Sequence, residues 1–256
     1  MRFSNLAMPV FAARASLAAV AIAAAVAAPV TAAALGERQR ATVAILYFDY
    51  QGSSESLWVL QKGLAQMLIS DLAGLDGWQI VERDRLEALL AEYDLGRQGK
   101  LDPATAARVG KLLGARYMVL GGYFDVMEAL RVDARLVEVE TGRVLGSTGA
   151  TSSAGDFLGV EQKISHDLER LLVERTEEAR ASDARASQPV QGAAPRRAPR
   201  LKSPARLKTK TALAYSKGLA LLDKGDRAGA RAQMQQVVKE QPDFLLASAD
   251  LDRLMQ

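Results

Sequence analysis

Runs of apolar residues along the chain predict five strands in the first 180 residues. TVAILYF (42–48) is almost continuously apolar, as is typical of a strand buried on both faces. WQIVER (78–83) and ARYMVLGGYF (115–124) predict two more such strands, and the second is expected to bend or bulge at its glycine pair, Gly121-Gly122.

The next residues follow a two-residue period instead. Leu130 to Leu136 alternate with charged residues, which indicates a strand that is wet on one side and antiparallel to its neighbour. Gly142 then supplies the positive φ of a hairpin turn, and RVLGSTGAT (143–151) is the returning strand.

Large apolar residues recur at helical spacing between and after these strands. Ser56 is the predicted N-cap of the first helix, and DRLE (84–87) resembles a capping box at the start of the second. Asp102-Pro103 starts the third helix and Gly114 ends it. A fourth, amphipathic helix runs from Phe157 to about residue 179.

The order β-α-β-α-α-β-β-β-α predicts an α/β fold over residues 40–180, with a mixed sheet packed by helices. Helical patterning resumes at Thr211 and runs to the end of the chain. Residues 211–256 are therefore expected to form a small, separate all-α helical hairpin module.

The first 34 residues have the pattern of a signal peptide. Arg2 and Arg14 precede the apolar stretch SLAAVAIAAAVAAPV (16–30), and an A-x-A-like cleavage site follows. The stretch is shorter than the roughly 18–20 residues that a spanning helix needs. We expect an exported, periplasmic protein, and retention of the segment as an uncleaved anchor is the alternative.

The net charge of +3 is unevenly distributed. Residues 35–179 carry 16 Lys and Arg against 23 Asp and Glu, whereas residues 180–210 carry 9 against 1. Residues 181–210 are also rich in Ala, Pro and Ser, which predicts a disordered basic linker. This linker is interpreted as a solubilising spacer, and contact with an anionic surface is the alternative.

The pair Gly110-Lys111 raises the question of a phosphate-binding loop. A Walker-type loop needs G-x-x-x-x-G-K-[ST], but here Thr105 stands five residues before Gly110 and Leu112 follows the lysine. The pair also falls inside the helix that Pro103 starts, so its backbone N–H groups are used within the helix. We expect no nucleotide site.

The remaining chemistry-bearing residues do not form a recognisable catalytic set. The chain has no cysteine and one histidine, His166, which lies off the apolar stripe of its helix and is expected to face solvent. Ser53, Ser54 and Ser56 are interpreted as turn and cap residues, and Asp49 and Asp84 as strand-end residues. We therefore expect no enzyme and no catalytic residue, metal or cofactor.

Four stretches carry a family resemblance in the same order along the chain. They are VAILYFDY, LWVLQKGLAQMLISDLAGLDGWQIVERDRLEALLAEYDL, LDPATAARVGKLLGARYMVLGGYF and LRVDARLVEVETGRVL. Residues 42–150 thereby resemble the CsgG family, the periplasmic domain of curli-type secretion and assembly proteins. The flagellar outer-membrane protein FlgO and the N-terminal domain of TolB look similar in fold. The resemblance implies a non-enzymatic role at the inner face of the outer membrane.

Two departures from the family limit what the resemblance implies. The curli secretion protein is a lipoprotein, whereas this chain has no cysteine to acylate. That protein also inserts long hairpins to build a pore, and two hairpins need roughly 40 residues. Residues 50–56, 95–102 and 124–130 are too short for such insertions.

The C-terminal module carries a second resemblance. Small, large and proline positions in residues 212–243 resemble a tetratricopeptide repeat, which binds proteins. The residues at those offsets are candidate protein-binding residues: Tyr215, Gly218, Leu221, Ala230, Met234 and Pro242. Because a single repeat is not stable alone, the module is expected to lean on the main domain, on a second copy of the chain or on a partner.

These observations predict a periplasmic assembly or adaptor protein of an outer-membrane secretion or surface-appendage system, curli-like or flagellar. Its expected partners are envelope proteins, with self-association and outer-membrane association left open. Nucleic acid and small-molecule substrates are not expected. The alternative function is a curli-type secretion channel component in the outer membrane.

Overall fold

The computed structural model describes residues 40–93, 103–126, 129–152, 156–186 and 207–256. The predicted signal peptide, residues 187–206 of the predicted linker and the predicted N-cap Asp102 lie outside the described residues. Their assignments stay predictions.

Six strands and seven helices make up the described chain. The strands are β1 (Ala41–Ile45), β2 (Asp49–Tyr50), β3 (Trp78–Ile80), β4 (Tyr117–Val126), β5 (Ala129–Glu138) and β6 (Val144–Thr151). The helices are α1 (Leu60–Leu72), α2 (Arg83–Glu92), α3 (Pro103–Leu112), α4 (Phe157–Ala186), α5 (Thr209–Asp223), α6 (Arg227–Glu240) and α7 (Leu245–Met255).

One mixed sheet forms the centre of the molecule, with the strand order β3-β1-β4-β5-β6. Strand β1 is parallel to both β3 and β4, and β4, β5 and β6 form an antiparallel meander. The predicted α/β class and the predicted order of elements are confirmed. The apolar run 42–48 is not one strand, however, because β1 ends at Ile45 and β2 resumes pairing with β4 only at Asp49.

The helices cover the two faces of the sheet unequally. Helices α1 and α4 pack on one face and share a core with β1, β4 and β5. Helices α2 and α3 pack on the other face, against β1, β4 and the end of β5. The part of this second face that belongs to β6 and most of β5 has no helix over it among the described residues, and its side chains are largely exposed.

Helix α3 begins and ends where the sequence predicts. It starts at Pro103, and Gly114 follows its end with a φ of 65°. The Gly114 N–H donates to Lys111 O at 3.0 Å, and the Ala115 N–H donates to Gly110 O at 2.9 Å. This pair of bonds is a Schellman motif, which requires a left-handed residue at the position of Gly114.

Replacing Gly114 by alanine is expected to destabilise the protein by about 1–2 kcal/mol. A Cβ atom at this position would have no heavy atom within 4 Å, so the cost is the left-handed backbone alone. Urea unfolding of the purified variant measures it. An asparagine at the same position should recover part of the loss, since asparagine tolerates this conformation. An unchanged unfolding midpoint for the alanine variant would contradict the prediction.

Two predicted helix starts are wrong. Ser56 does not cap α1, because Glu55–Leu57 form a separate 3₁₀ turn and α1 begins at Leu60. The predicted capping box at Asp84 and Glu87 does not form either, because α2 begins at Arg83 and no side chain caps it. Both carboxylates of that sequence are engaged in ion pairs instead.

The predicted bulge at the glycine pair in β4 does not form against β5. Pairing with β5 continues without a register shift through Gly121 and Gly122. A Cβ atom on Gly121 would lie 2.2 Å from Cε1 of Phe48 and 2.6 Å from Asp133 O. The glycine is needed because the buried Phe48 ring lies directly against the backbone of β4.

Helix α4 is longer than predicted and contains a buried acid. It continues to Ala186, past the predicted end near residue 179 and into the predicted linker. Glu161 is almost fully buried, and its Oε1 has no hydrogen-bond partner. Burial, with the nearby Asp71 adding to it, raises the pKa of Glu161 well above its ordinary value.

The raised pKa predicts how Glu161→Gln changes stability with pH. A carboxyl group with a raised pKa in the folded state stabilises fully below its unfolded pKa, near 4.3, and less as the pH rises toward the folded value. Because glutamine does not ionise, the variant is expected to gain stability over the wild type as the pH increases above about 4. Urea unfolding at pH 4, 6 and 8 measures this. A constant difference across the three pH values would contradict it.

The C-terminal helices form a module that packs on the main domain. An isolated antiparallel β-bridge between Asp156 and Lys208 joins the N-terminal end of the module to the main domain. Helix α5 crosses α1, and the core of the module is continuous with the core under α1 and α4. The sequence leaves three possible supports for the module open: the main domain, a second copy of the chain or a partner. In the structure the module packs on the main domain.

Candidate protein-binding surfaces

The helix crossing between α1 and α5 depends on two small residues. A Cβ atom on Gly63 would lie 1.9 Å from the Oγ atom of Ser216, which is itself fully buried. Ser216 satisfies its hydroxyl group by donating to Ala212 O one turn earlier at 2.7 Å. The glycine and the serine let the two helix backbones approach closely, so this crossing fixes where the module sits.

The six predicted protein-binding residues mostly form the interior of the module. Tyr215, Ala230 and Met234 are fully buried, Leu221 is half-buried, and Pro242 is exposed. Gly218 is buried as well, and a Cβ atom there would lie 2.8 Å from Cε of Met234. In this structure Tyr215, Ala230 and Met234 therefore pack α5, α6 and α7 together. Contact with a partner stays a prediction for all six candidate residues.

Tyr215 also closes a buried polar contact within the module. Its hydroxyl group donates to Oδ2 of Asp250 at 2.7 Å, and its ring packs edge-on against Phe244. Burial raises the pKa of Asp250, whereas this hydrogen bond and Arg253 at 3.2 Å oppose the rise. The contact joins α5 to α7 across the module.

An ion-pair network joins the module to the main domain. Nη1 of Arg83 donates to both carboxylate oxygens of Asp223, at 2.7 and 2.9 Å. Nζ of Lys62 donates to Asp223 at 2.6 Å and to Glu87 at 3.0 Å, and Tyr47 donates to Glu87. The Arg83 and Asp223 side chains are both nearly inaccessible to solvent.

The charges in this network stabilise each other in a partly buried site, in which the Arg83 and Asp223 side chains are the least exposed. Burial opposes the positive charge of Arg83, but the Asp223 carboxylate next to it raises the pKa of the guanidinium above its ordinary value. Burial raises the pKa of Tyr47, so its hydroxyl group stays protonated and can donate to Glu87. For each of these groups, the partners therefore compensate for the free energy that is lost when the group is removed from water.

The network lies at the carboxyl ends of the parallel strands β1 and β3, since Tyr47 follows β1 and Arg83 follows β3. In open α/β sheets this is the usual position of a ligand crevice. Here the Asp223 carboxylate occupies the position next to Arg83 and Lys62. The candidate strand-end acids are not brought together as a pair, because Asp84 binds Arg83 while Asp49 lines a different cleft.

The uncovered part of the sheet forms a second, open surface. The side chains of Arg131, Asp133 and Arg135 project from β5 on this face, next to Ser147 and Gly149 of β6. They line a shallow cleft of about 570 Å³ that reaches Tyr47 and Phe124. The predicted alternation of β5 is confirmed, but the sequence did not indicate that the wet face borders a cleft. We call this surface the open face.

The open face contains one paired and one unpaired arginine. Nη2 of Arg131 donates to Oδ1 of Asp133 at 2.7 Å, and its Nε donates to Oδ2 at 3.0 Å. The Arg135 guanidinium forms no hydrogen bond or ion pair with any residue that the structure describes. Within the part of the chain that the structure describes, the open face therefore presents an unpaired cation beside a strand without charged residues.

Neither of the other sequence candidates forms a site in the described chain. Gly110-Lys111 lies inside α3, as the sequence predicts, and Gly110 is buried against Met118. His166 is exposed on α4. Within the described ranges, no group of three or more His, Cys, Asp or Glu residues could hold a metal ion, and no helix there is long and apolar enough to cross a membrane.

Several solved structures of bacterial proteins have similar folds. The C-terminal domain of LpoB from Escherichia coli is 18% identical, with a TM-score of 0.37 over 44% of this chain and 83% of that chain. Lipoprotein GNA1162 from Neisseria meningitidis is 14% identical, with a TM-score of 0.35 over 45% and 81%. TolB from Acinetobacter baumannii is 13% identical, with a TM-score of 0.33 over 53% and 28%. At these TM-scores the likenesses carry no argument about function.

The family comparison covers the first part of the main domain. The family described as "Curli production assembly/transport component CsgG" matches residues 20–126. The match begins within the predicted signal peptide and ends with β4. No curated protein matches the chain. The resemblance to the CsgG family that the sequence predicts is therefore confirmed, over residues 20–126.

Proposed function

We propose that this chain is a non-enzymatic assembly or adaptor protein of the bacterial cell envelope, which acts through protein–protein contacts. The open face carries the proposal, because an uncovered sheet surface with an exposed edge strand is a common site of protein contact. The match to the CsgG family supports the envelope assignment. The predicted signal peptide supports a periplasmic location.

Within this role, we assign the chain to an outer-membrane secretion or surface-appendage system of the curli-like or flagellar kind. The description of the matched family, which names curli production, supports this choice. The module adds a rigid second unit, because the ion-pair network and the α1–α5 crossing fix its position on the main domain. A partner would therefore meet one preformed surface.

Chemical crosslinking in intact cells tests the proposal. An affinity-tagged full chain is expected to be recovered, after mild crosslinking, with an outer-membrane or appendage component. A matched chain without residues 1–34 is the control, because it should stay in the cytoplasm and yield no such adduct. Recovery of the full chain solely as an uncrosslinked monomer would overturn the proposal.

The family description also names transport, which favours a second candidate function, a curli-type secretion channel component. A channel component needs detergent for its extraction and is recovered as a large oligomer. The adaptor is recovered from the periplasm without detergent. Fractionation followed by measurement of the mass in solution separates the two candidates.

A further inference from the structure

Strand β6 is the last strand of the sheet, and its backbone has a defined outward side. The Ser152 N–H donates to Leu130 O at 2.9 Å, and the β5–β6 register places these two residues opposite each other. In an antiparallel ladder such hydrogen-bonded pairs alternate with pairs that point away. The N–H and C=O groups of Ser147, Gly149 and Thr151 therefore point away from β5, toward the free edge.

Among the described residues, this free edge lacks the usual protection. Exposed edges are normally blunted by charged residues, by proline or by a covering element. The eight residues of β6, VLGSTGAT, contain no charge and no proline. In the described chain one side chain reaches the edge, since Arg175 donates to the O atom of the bulge residue Leu145 at 3.5 Å. The outward groups of Ser147 and Gly149 have no partner among the described residues.

The open face next to this edge has space and a free charge. Ser147 and Gly149 are the β6 residues that line its cleft, and both are small. Arg135 lies directly opposite Ser147 in the register and has no anionic partner among the described residues. A strand that pairs with β6 would therefore have room for large side chains, and the Arg135 guanidinium could bind a carboxylate of that strand.

We propose that β6 binds an extended segment of a partner protein as an additional strand, with an acidic side chain that pairs with Arg135. This inference rests on the proposed adaptor function and specifies its contact. A second copy of β6 fits less well, because its own Ser147 and Gly149 would leave the cleft empty and Arg135 unpaired. The partner segment is therefore one with bulky and acidic side chains at alternate positions.

Hydrogen exchange on the full chain tests the pairing directly. The probe is a synthetic peptide, TFTETFT, with phenylalanine and glutamate on one face of the extended strand and threonine on the other. The backbone amides of Ser147, Gly149 and Thr151 are expected to exchange rapidly in the free protein and slowly with the peptide. No protection at millimolar peptide overturns the proposal. Slow exchange without peptide, together with a doubled mass, overturns it in favour of a second copy.

Two substitutions separate the strand pairing from other modes of binding. Ser147→Pro removes an outward donor and no ladder bond to β5, so it is expected to weaken peptide binding about tenfold. Ser147→Thr keeps the donor and is the matched control with unchanged affinity. Equal affinity of the two variants would overturn the proposal.

The charge of the partner segment is tested in the same assay. Arg135→Glu is expected to reverse the preference, so that TFTKTFT binds more tightly than TFTETFT. Crosslinking with Ser147→Pro distinguishes this inference from the proposed function. Retention of the envelope adduct by that variant would leave the adaptor function standing and place the contact elsewhere.

Discussion

Asp223→Ala is expected to lower the free energy of unfolding by about 3–5 kcal/mol and to release α5 from α1. The substitution leaves Arg83 buried without its bidentate partner and removes one of the two acceptors of Lys62. Urea unfolding measures the loss of stability. Hydrogen exchange in α5, compared with exchange in β4, shows whether the module detaches before the sheet unfolds.

Asp252→Ala is the matched control for this prediction. Asp252 is an exposed acid of α7 in the same module, so its loss should change stability by less than about 0.5 kcal/mol. The double variant Arg83→Met with Asp223→Leu is expected to recover most of the stability, because apolar residues need no partner charge. Equal stability of the Asp223→Ala and Asp252→Ala variants would refute the structural role of the network.

Gly121→Ala is expected to cost about 2–3 kcal/mol, although it adds only one methyl group. The new Cβ atom would overlap the Phe48 ring at 2.2 Å and the Asp133 carbonyl oxygen at 2.6 Å. The ring is fully buried and the oxygen belongs to the neighbouring strand, so neither can move away cheaply. Thermal unfolding of the variant measures the cost.

The neighbouring glycine provides a control with the same chemistry. At Gly122 the nearest atoms are Asp49 O at 3.0 Å and Nε2 of the flexible, exposed Gln51 side chain at 3.1 Å. Gly122→Ala is therefore expected to cost less than about 1 kcal/mol. In the Gly121→Ala background, Phe48→Leu should recover part of the stability. A larger loss at Gly122 than at Gly121 would show that the Phe48 contact is not the cause.

The sequence predicts those parts of the fold that depend on local physics. Pro103 and Gly114 bound α3 correctly because a helix start and a left-handed helix end each need particular residue types. The alternation in β5 reveals a half-exposed strand because its apolar and charged residues take opposite faces. The class of the fold follows from the order of such elements.

The ion-pair network could not be predicted in this way. Arg83 and Asp223 are 140 residues apart in sequence, and no local pattern connects them. The local pattern even suggested a competing role, since Glu87 completes an apparent capping box but binds Lys62 in the structure. The need for Gly121 is non-local as well, because it comes from Phe48 in the segment between β1 and β2.

The sequence predicts the exposed side chains of the open face but not the absence of a covering helix in the described part of the chain. The charged residues of β5 were expected to face water, but whether a helix covers them depends on the path of α2 and α3. A free strand edge at β6 is likewise a property of the strand order, which the sequence does not specify. An uncharged hairpin strand such as VLGSTGAT, with no protecting residue, is the one sequence signal that could have indicated it.

Because α5 packs on α1, the core of the main domain is complete only after α5 has been synthesised. Helix α5 is synthesised about 150 residues after α1, which is on the order of 10–30 s later at typical elongation rates. During that interval the growing chain holds α1 without the helix that packs against it at Gly63. A product that stops before α5 would keep this surface exposed, and we expect chaperones and proteases to recognise such a chain as unfinished.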